Sequence, residues 1–128
     1  MFGKPKKPLD RTCYPKSQES RPLQLSESLG RYVYVVDTRG VIHVAPDQLH
    51  MHPKVLGSVE SALYAGEIGI NLAGIVYELT NCSGTFQFKS KRSLCCVATH
   101  LVQLGFAVRN IIWFPPDGNS PPLRLQCI

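Results

Sequence analysis

Long apolar runs, paired cysteine motifs and phosphate-binding glycine loops are all missing from this 128-residue sequence. No stretch reaches the roughly 18 to 20 uninterrupted apolar residues that a membrane span requires. The first eight residues carry three lysines, but no apolar segment follows them, so they lack the pattern of a cleaved signal peptide. These absences predict a cytoplasmic protein, or one exported without a cleaved signal peptide, with no membrane partner.

The five cysteines do not form a disulfide framework by spacing. Their number is odd, Cys95 and Cys96 are adjacent, and Cys-x-x-Cys is lacking. Adjacent residues on a helix point about 100° apart, so these two cannot both face one partner. We therefore expect free thiols, buried or half-buried, in a reducing compartment. No pair of Cys or His has finger-like spacing on both sides, so a metal site is not predicted.

Several common catalytic motifs are also lacking. The sequence has neither Gly-x-Ser-x-Gly nor His-Glu-x-x-His, and neither common glycine-rich phosphate loop. Kinase, P-loop, dinucleotide-fold, zinc-protease and serine-hydrolase functions are therefore unsupported. The sequence identifies no cofactor and leaves open whether the chain is an enzyme.

Positive charge is concentrated near the N-terminus. Residues 1–22 contain six cations and two acids, a net charge of +4, whereas residues 23–128 contain eight cations and seven acids, a net charge of +1. We predict a disordered, basic, Pro- and Ser-rich arm over residues 1–28 and one α+β domain over residues 29–128. The arm is either a solvated tail or a tether that holds nucleic acid or an acidic partner through residues 1–22. The tail is favoured, because nucleic-acid domains usually spread charge across a folded face.

β-Branched and aromatic residues separated by turn signals predict a sheet. The predicted strands span residues 31–36, 41–45, 63–70, 75–80, 106–114 and 123–127. Gly66 and Gly69 interrupt the third of these and indicate a bulge or a close backbone approach. Residues 48–57 are predicted to form a loop.

One long helix is predicted to begin after Ser90 and to end at Gly105. Its apolar residues recur at helical spacing, at Leu94, Val97, Ala98, Leu101 and Leu104. The predicted architecture is α+β, an antiparallel sheet of about five or six strands with this helix packed on one face.

Three polar features fall close together in this topology: His52 in the loop, Glu67 in a strand, and the turn over residues 81–84. Glu67 lies between apolar residues beside a glycine, so its carboxylate either faces solvent or is half-buried with a raised pKa, as a general base requires. Solvent exposure is the more common outcome for such a residue. The turn offers small side chains and backbone N–H groups that can hold an anion or a carbonyl oxygen, although most such turns only reverse the chain. The candidate catalytic residues are His52, Glu67 and Ser83, and the candidate binding residues are Asn81, Gly84 and Thr85.

The histidines are open to a simpler interpretation. His50 and His52 could offer two imidazoles to a metal, but exposed surface histidines are more common at this spacing. His43, in a strand, and His100, beside the apolar stripe of the helix, are more often packed and hydrogen-bonded residues.

The order of these motifs resembles a small domain of bacterial polymorphic toxins and secreted effectors that also occurs in plant calmodulin-binding IQ-motif proteins. That pattern runs His-Ser-x-Leu, Ala-Gly-Glu and Asn-x-Ser-Gly-His-Tyr-x-Pro before a helix. Here it corresponds to His52 with Leu56, residues 65–67, and residues 81–86. Thr85 and Phe86 replace the family's second His and its Tyr, Phe88 stands where Pro is expected, and the leucine is displaced by one residue. The resemblance therefore implies a site location, and implies a lost activity if the His-Tyr pair performs the family's chemistry.

Three functions follow from these features. A ligand- or partner-binding module with a pocket near His52, Glu67 and Ser83 ranks first, because recognition needs hydrogen bonds but no proton shuttle. A toxin- or effector-type enzyme, such as an NAD-consuming ADP-ribosyltransferase-like transferase, is the second and rests on analogy. A nucleic-acid-associated protein that uses its basic arm is the third. Residues 113–116 could add a partner surface, although an aromatic strand end followed by prolines is more often core.

Overall fold

Eight strands form one sheet in the computed structural model, which describes residues 2–9, 14–48, 51–57, 60–84 and 86–127. Two short helices complete the sheet-rich α+β fold within these ranges. In chain order the elements are β1 (Arg21–Pro22), β2 (Gly30–Val36), β3 (Ile42–Pro46), α1 (Met51–Leu56), β4 (Tyr64–Leu72), β5 (Ile75–Thr80), α2 (Lys91–Gln103), β6 (Ala107–Val108), β7 (Ile111–Trp113) and β8 (Leu123–Arg124).

The sheet is mixed rather than antiparallel. Its strand order is β1-β3-β2-β4-β5-β7-β8, and β6 also pairs with β5. β6 and β7 run parallel to β5, because the α2 crossover returns the chain to the end of the sheet where β5 begins. The prediction of an antiparallel sheet of five or six strands with one long helix was therefore wrong in strand number, strand direction and helix number. The strands that it missed have only two residues each, too few to leave a pattern in the sequence.

Gly66 and Gly69 mark two places where the sheet leaves no room for a side chain. A Cβ atom at Gly66 would lie 1.9 Å from the carbonyl oxygen of Thr80, and one at Gly69 would lie 2.4 Å from the ring of Tyr77. The register between β4 and β5 also shifts directly after Gly69. Both the bulge and the close approach that the sequence indicates are present.

α2 carries the predicted apolar stripe. The stripe is buried at Leu94, Val97, Ala98 and Leu101. Leu104 was predicted to extend it but is exposed, because the helix ends at Gln103. Gly105 follows with a φ of +106°, the left-handed conformation that commonly ends a helix.

The segment predicted as a loop over residues 48–57 contains helix α1. This helix packs against β2 and β3 and buries Met51, His52 and Val55. Pro53 lies in its first turn, where a missing N–H costs no hydrogen bond. The loop prediction was wrong because six residues are too few to show a helical period. Neither helix in the described ranges has both the length and the apolar character needed to cross a bilayer.

The two helices pack against different parts of the sheet. α1 contacts β2 and β3, whereas α2 contacts β6 and β7. Neighbouring strand residues point to opposite faces, and Val35 and Val36 of β2 pair with His43 and Tyr64 respectively.

Part of the segment 1–28 packs against the domain. β1 pairs with β3, and the buried Leu23 donates its N–H to the carbonyl of Ile42 at 2.8 Å. Nearer the N-terminus, Lys6 and Ala62 exchange backbone hydrogen bonds of 2.8 Å in both directions. Phe2 packs against the hydrophobic core. The boundary at residue 29 remains a prediction, and the sheet includes residues on both sides of it.

Cys95 and Cys127 form a disulfide, which corrects the prediction of free thiols at these two positions. The bond joins α2 to the segment after β8. Cys82 and Cys96 are free, as predicted, and Cys13 lies outside the described residues. An odd number of cysteines excludes only complete pairing, so it is compatible with one disulfide. The prediction of a reducing compartment loses the support that it drew from these two residues.

Candidate functional site

The predicted site residues belong to three elements: helix α1, strand β4 and the turn that follows β5. These elements are adjacent where β4 lies beside the end of β5. The Nε2 atom of His52 in α1 lies 2.8 Å from the carbonyl oxygen of Gly66 in β4. The Thr80 hydroxyl accepts hydrogen bonds from the backbone N–H groups of Glu67 and Cys82, at 3.3 and 3.1 Å. The backbones of α1, β4 and the turn after β5 are therefore adjacent, although their side chains take different directions.

His52 is a buried, hydrogen-bonded residue. Because a carbonyl oxygen only accepts, the Nε2–H group of His52 donates to Gly66. Burial lowers the pKa of His52, and the carbonyl of Gly66 and the charge of Asp47 only partly offset this effect. The ring is therefore held neutral, and its Nε2 atom is engaged within the protein.

Glu67 is half-buried, with a side chain that is 29% exposed. Burial and the nearby charge of Asp47 raise the pKa of Glu67, whereas Arg31 at 3.2 Å acts in the opposite direction. Arg31 also donates to Glu78 at 3.0 Å and to the hydroxyl of Tyr77 at 3.3 Å. The structure has the half-buried carboxylate with a raised pKa, and not the solvent-exposed carboxylate that the sequence slightly favoured. Its position within this charged cluster follows from strand register, which only the fold provides.

The side chain of Asn81 fastens the turn after β5 to the end of β7. Its Nδ2 group donates to the carbonyl of Phe114 at 2.9 Å, and its Oδ1 atom accepts from the N–H group of Phe114 at 2.7 Å. Both functional atoms of the amide are thus used in holding two chain segments together. Asn81 builds the site rather than presenting a free group to a ligand.

The remaining turn residues have different surroundings. The Ser83 hydroxyl accepts a hydrogen bond from the N–H group of Phe86 at 3.0 Å, which closes a local turn. Gly84 is exposed, and a Cβ atom there would meet nothing within 4 Å. Thr85, the third predicted binding residue, lies outside the described residues, as does His50.

A cavity of about 190 Å³ lies between this turn and the segment after β7; we call it the turn cavity. The residues that line it are Asn81, Cys82, Ser83, Phe86, Gln87, Phe88, Phe114, Pro115 and Pro116. His52 and Glu67 do not line it. The structure therefore brings Asn81 and Ser83 to one concavity and leaves the predicted imidazole and carboxylate outside it.

Cys82 is the free thiol of the turn cavity. Burial raises the pKa of Cys82, and the carboxylates of Glu67 and Glu78 act in the same direction. The protonated thiol is therefore favoured at neutral pH, and a thiol is a much poorer nucleophile than a thiolate.

Sequence reasoning missed most of the aromatic and amide lining of the turn cavity. Phe86, Gln87 and Phe88 carried no sequence signal that marked them as site residues. The sequence indicated residues 113–116 as a possible partner surface. Three residues of this segment line the cavity: Phe114, Pro115 and Pro116. An aromatic residue followed by two prolines at the end of a strand was the signal available.

His43 is packed and hydrogen-bonded, as its strand position suggested. Its Nε2 atom lies 2.8 Å from the carboxylate of Asp37, and both residues are buried. Among the described residues, no group of three or more His, Cys, Asp or Glu side chains could hold a metal ion.

No family model matches this chain, and no curated protein or solved structure is significantly similar to it. The resemblance to the toxin and effector domain remains a hypothesis that rests on motifs within residues 52–86.

Proposed function

We propose that this chain is a partner-binding module whose turn cavity takes up one side chain of a protein partner. The observation that carries the proposal is the turn cavity itself, a small concavity with aromatic and proline walls at one end of the sheet. Its polar residues hold the walls in place, so the concavity exists before any partner arrives. A preformed site loses less conformational freedom on binding than one that must be assembled.

The size of the turn cavity favours a side chain over a whole small molecule. Sites for cofactors and drug-sized ligands occupy roughly 300–1,000 Å³. The turn cavity, at about 190 Å³, is below that range. It leaves room for a side-chain-sized group, with the rest of the ligand lying outside.

The residues that line the turn cavity favour a ligand that has an apolar side chain next to a backbone amide. Phe114 is 37% exposed and forms one wall with Pro115 and Pro116. Gln87 is exposed beside them, and its amide can both donate and accept a hydrogen bond. Aromatic residues are enriched in protein interfaces, where a few buried anchors carry most of the binding energy. An extended peptide segment would place an apolar side chain in the cavity and a backbone amide against Gln87.

The same residues are poorly arranged for nucleophilic catalysis. Asn81 uses both amide atoms in bonds to Phe114, the Ser83 hydroxyl accepts from Phe86, and the pKa of Cys82 is raised. The transferase alternative needs an acid-base pair facing the substrate. His52 and Glu67, which would form that pair, do not line the turn cavity.

Peptide selection tests the proposal. Peptides selected from a random library on the immobilised protein are measured for affinity to the wild type, to Phe114→Ala and to Leu72→Ala. Leu72 is the matched control because it is 58% exposed and lies at the opposite end of β5, beside the β4–β5 turn. We expect the Phe114→Ala change to weaken binding by about tenfold or more, as for an interface anchor, and the Leu72→Ala change to leave it within about twofold.

Alkylation of Cys82 provides a readout at the site. A bound peptide should slow modification of this thiol, which mass spectrometry of the fragment that contains Cys82 would show. Peptides that bind Phe114→Ala as tightly as the wild type, with no protection of Cys82, would refute the turn cavity as the binding site.

A further inference from the structure

A second cavity, of about 350 Å³, lies at the N-terminus of α2; we call it the basic cavity. Lys4 and Lys6 line it from the N-terminal segment, and Lys89 lines it from the residues that precede the helix. Phe88 and Pro5 contribute an apolar side. No acidic residue is among the described residues that line it. Two distant parts of the chain thus place three cations around one concavity.

The N-terminal segment is held in place at this cavity. Lys6 forms a two-way backbone bridge with Ala62, with both hydrogen bonds at 2.8 Å. Its ammonium group lies 5.9 Å from the centre of the Phe88 ring, within the range of a cation–π contact. Lys6 is therefore positioned by contacts at both its backbone and its side chain.

The N-terminus of α2 is positively charged, and a bound anion would stabilise it. The positive end of a helix dipole is usually offset by an acidic residue in the first turn or by a capping side chain. α2 has no acid in its first turn, and Ser90 makes no side-chain capping bond. The first helical residues are instead Lys91 and Arg92, which add positive charge to the positive end.

A hydroxyl group on a mostly buried residue also lines the basic cavity. Ser93 is only 5% exposed, yet within the described part of the chain the structure gives its hydroxyl no hydrogen bond. Its N–H group donates to the carbonyl of Ser90 at 3.2 Å, so only the side chain remains available. Because this hydroxyl lines the cavity, it can form a hydrogen bond with a ligand oxygen.

We propose that the basic cavity binds the phosphate group of a small phosphorylated organic molecule. The phosphate would accept hydrogen bonds from the first-turn N–H groups of α2 and from Ser93, and would pair with Lys6 and Lys89. The organic part would lie against Phe88 and Pro5. The volume of the cavity is within the range of small-molecule sites and exceeds what a free phosphate ion needs. This inference does not rest on the proposed function, since its cationic residues and its ligand class differ, although Phe88 lines both cavities.

NMR titration of the full chain tests the inference with three probes: inorganic phosphate, adenosine monophosphate and a short single-stranded oligonucleotide. We expect adenosine monophosphate to bind more tightly than inorganic phosphate and to shift the backbone amide signals of residues 91–94. Equal affinities for these two probes would refute the role of the apolar side. Binding of the oligonucleotide alone would refute a small-molecule site and favour the nucleic-acid alternative.

Three variants separate a built site from a general attraction between opposite charges. Lys6→Gln should weaken binding of adenosine monophosphate by about tenfold, the effect of losing one charge-assisted contact. Lys7→Gln is the matched control, because it removes the same charge one residue away and Lys7 does not line the basic cavity. Ser93→Ala keeps every charge and should still weaken binding severalfold. Equal losses for Lys6→Gln and Lys7→Gln, or no loss for Ser93→Ala, would overturn the inference.

Discussion

Gly66 of β4 is adjacent to both α1 and the end of β5. Its carbonyl oxygen accepts from His52, and a Cβ atom at this residue would meet both the Thr80 carbonyl oxygen and the Tyr34 hydroxyl, at 1.9 and 2.8 Å. The hydroxyl of Tyr34 in turn donates to the carbonyl of Thr80 at 2.9 Å. The absence of a side chain at one residue thus allows three elements to share hydrogen bonds in the interior.

Replacing His52 with glutamine should reduce the sensitivity of the fold to acid. Burial lowers the pKa of His52, so the unfolded chain takes up this proton more readily than the folded protein. The free energy of unfolding of the wild type should therefore fall as the pH drops below about 6.5, the ordinary histidine value, towards the lowered pKa of the folded state. Glutamine can still donate to Gly66 but does not titrate, so His52→Gln should lose this part of the pH dependence.

Urea unfolding at a series of pH values between about 7.5 and 5 measures the effect. Lys54→Gln is the control, because it lies in the same helix and lysine does not titrate in this range. Identical pH dependence in His52→Gln and in the wild type would contradict a buried, neutral imidazole.

At the scale of elements, α2 connects several parts of the molecule. Its apolar stripe, which includes Leu94 and Leu101, contributes to the core. Its first turn lines the basic cavity, and Cys95 bonds to Cys127 beyond β8. The backbone of Leu125 also donates to Ile111 at 2.8 Å, so the C-terminal segment is held at two points. β8 has only two paired residues and depends on these neighbouring contacts.

Removing the disulfide should destabilise the fold. Cys95 and Cys127 are 32 residues apart, and closing a loop of that length restricts the unfolded chain. The chain-entropy relation gives a loss of about 3–4 kcal/mol for the double variant Cys95→Ser, Cys127→Ser. Thermal unfolding of the wild type with and without a reducing agent, beside the double variant, measures it. The reduced wild type should match the variant, and the reducing agent should leave the variant unchanged.

Cys82→Ser is the control for loss of a sulfur atom, because Cys82 is free and only half-buried. It should retain the stability loss on reduction that the wild type shows. An unchanged melting temperature after complete reduction of the wild type would show that the disulfide does not contribute to the fold in solution.

At the scale of the whole molecule, the basic N-terminal segment is partly incorporated into the domain. β1 lies at the edge of the sheet beside β3, and Arg21 forms an ion pair with Glu27. Lys6 is bridged to Ala62. Some cations in the described part of this segment are therefore engaged within the protein and are not available to a distant partner. Of these cations, Lys4 and Lys6 line the basic cavity.

Leucine-to-alanine changes at residues 23 and 29 test how much the N-terminal segment contributes to the stability of the fold. Leu23→Ala should lower the free energy of unfolding by about 2–3 kcal/mol, because Leu23 is buried in the core. Leu29→Ala should change it by less than about 0.5 kcal/mol, because Leu29 is 60% exposed. Urea unfolding measures both. A negligible effect of Leu23→Ala would contradict a contribution of Leu23 to the hydrophobic core.

The parts of the fold that the sequence predicted correctly are those with a strong local pattern. The run of β-branched and aromatic residues around Tyr34 predicted β2, the period through Leu94 and Leu101 predicted α2, and Gly66 predicted a bulge or a close backbone approach. α1 and β1 were missed, because six- and two-residue elements leave no measurable period. Of the four residues predicted to form one pocket, Asn81 and Ser83 line the turn cavity, whereas His52 and Glu67 do not. Phe114, the aromatic neighbour of Asn81 and Ser83, directly follows β7 and is 33 residues from Asn81 along the chain.

By itself, the sequence determined the positions of α2 and of β2 to β5, and the concentration of charge near the N-terminus. These properties depend on side-chain periodicity and residue counts, which are local. The tertiary structure alone decided that Cys95 meets Cys127, that Glu67 pairs with Arg31, and that the basic segment reaches the N-terminus of α2. Each of these contacts joins residues more than thirty positions apart, and their distance is set by strand order and register, which no local pattern encodes.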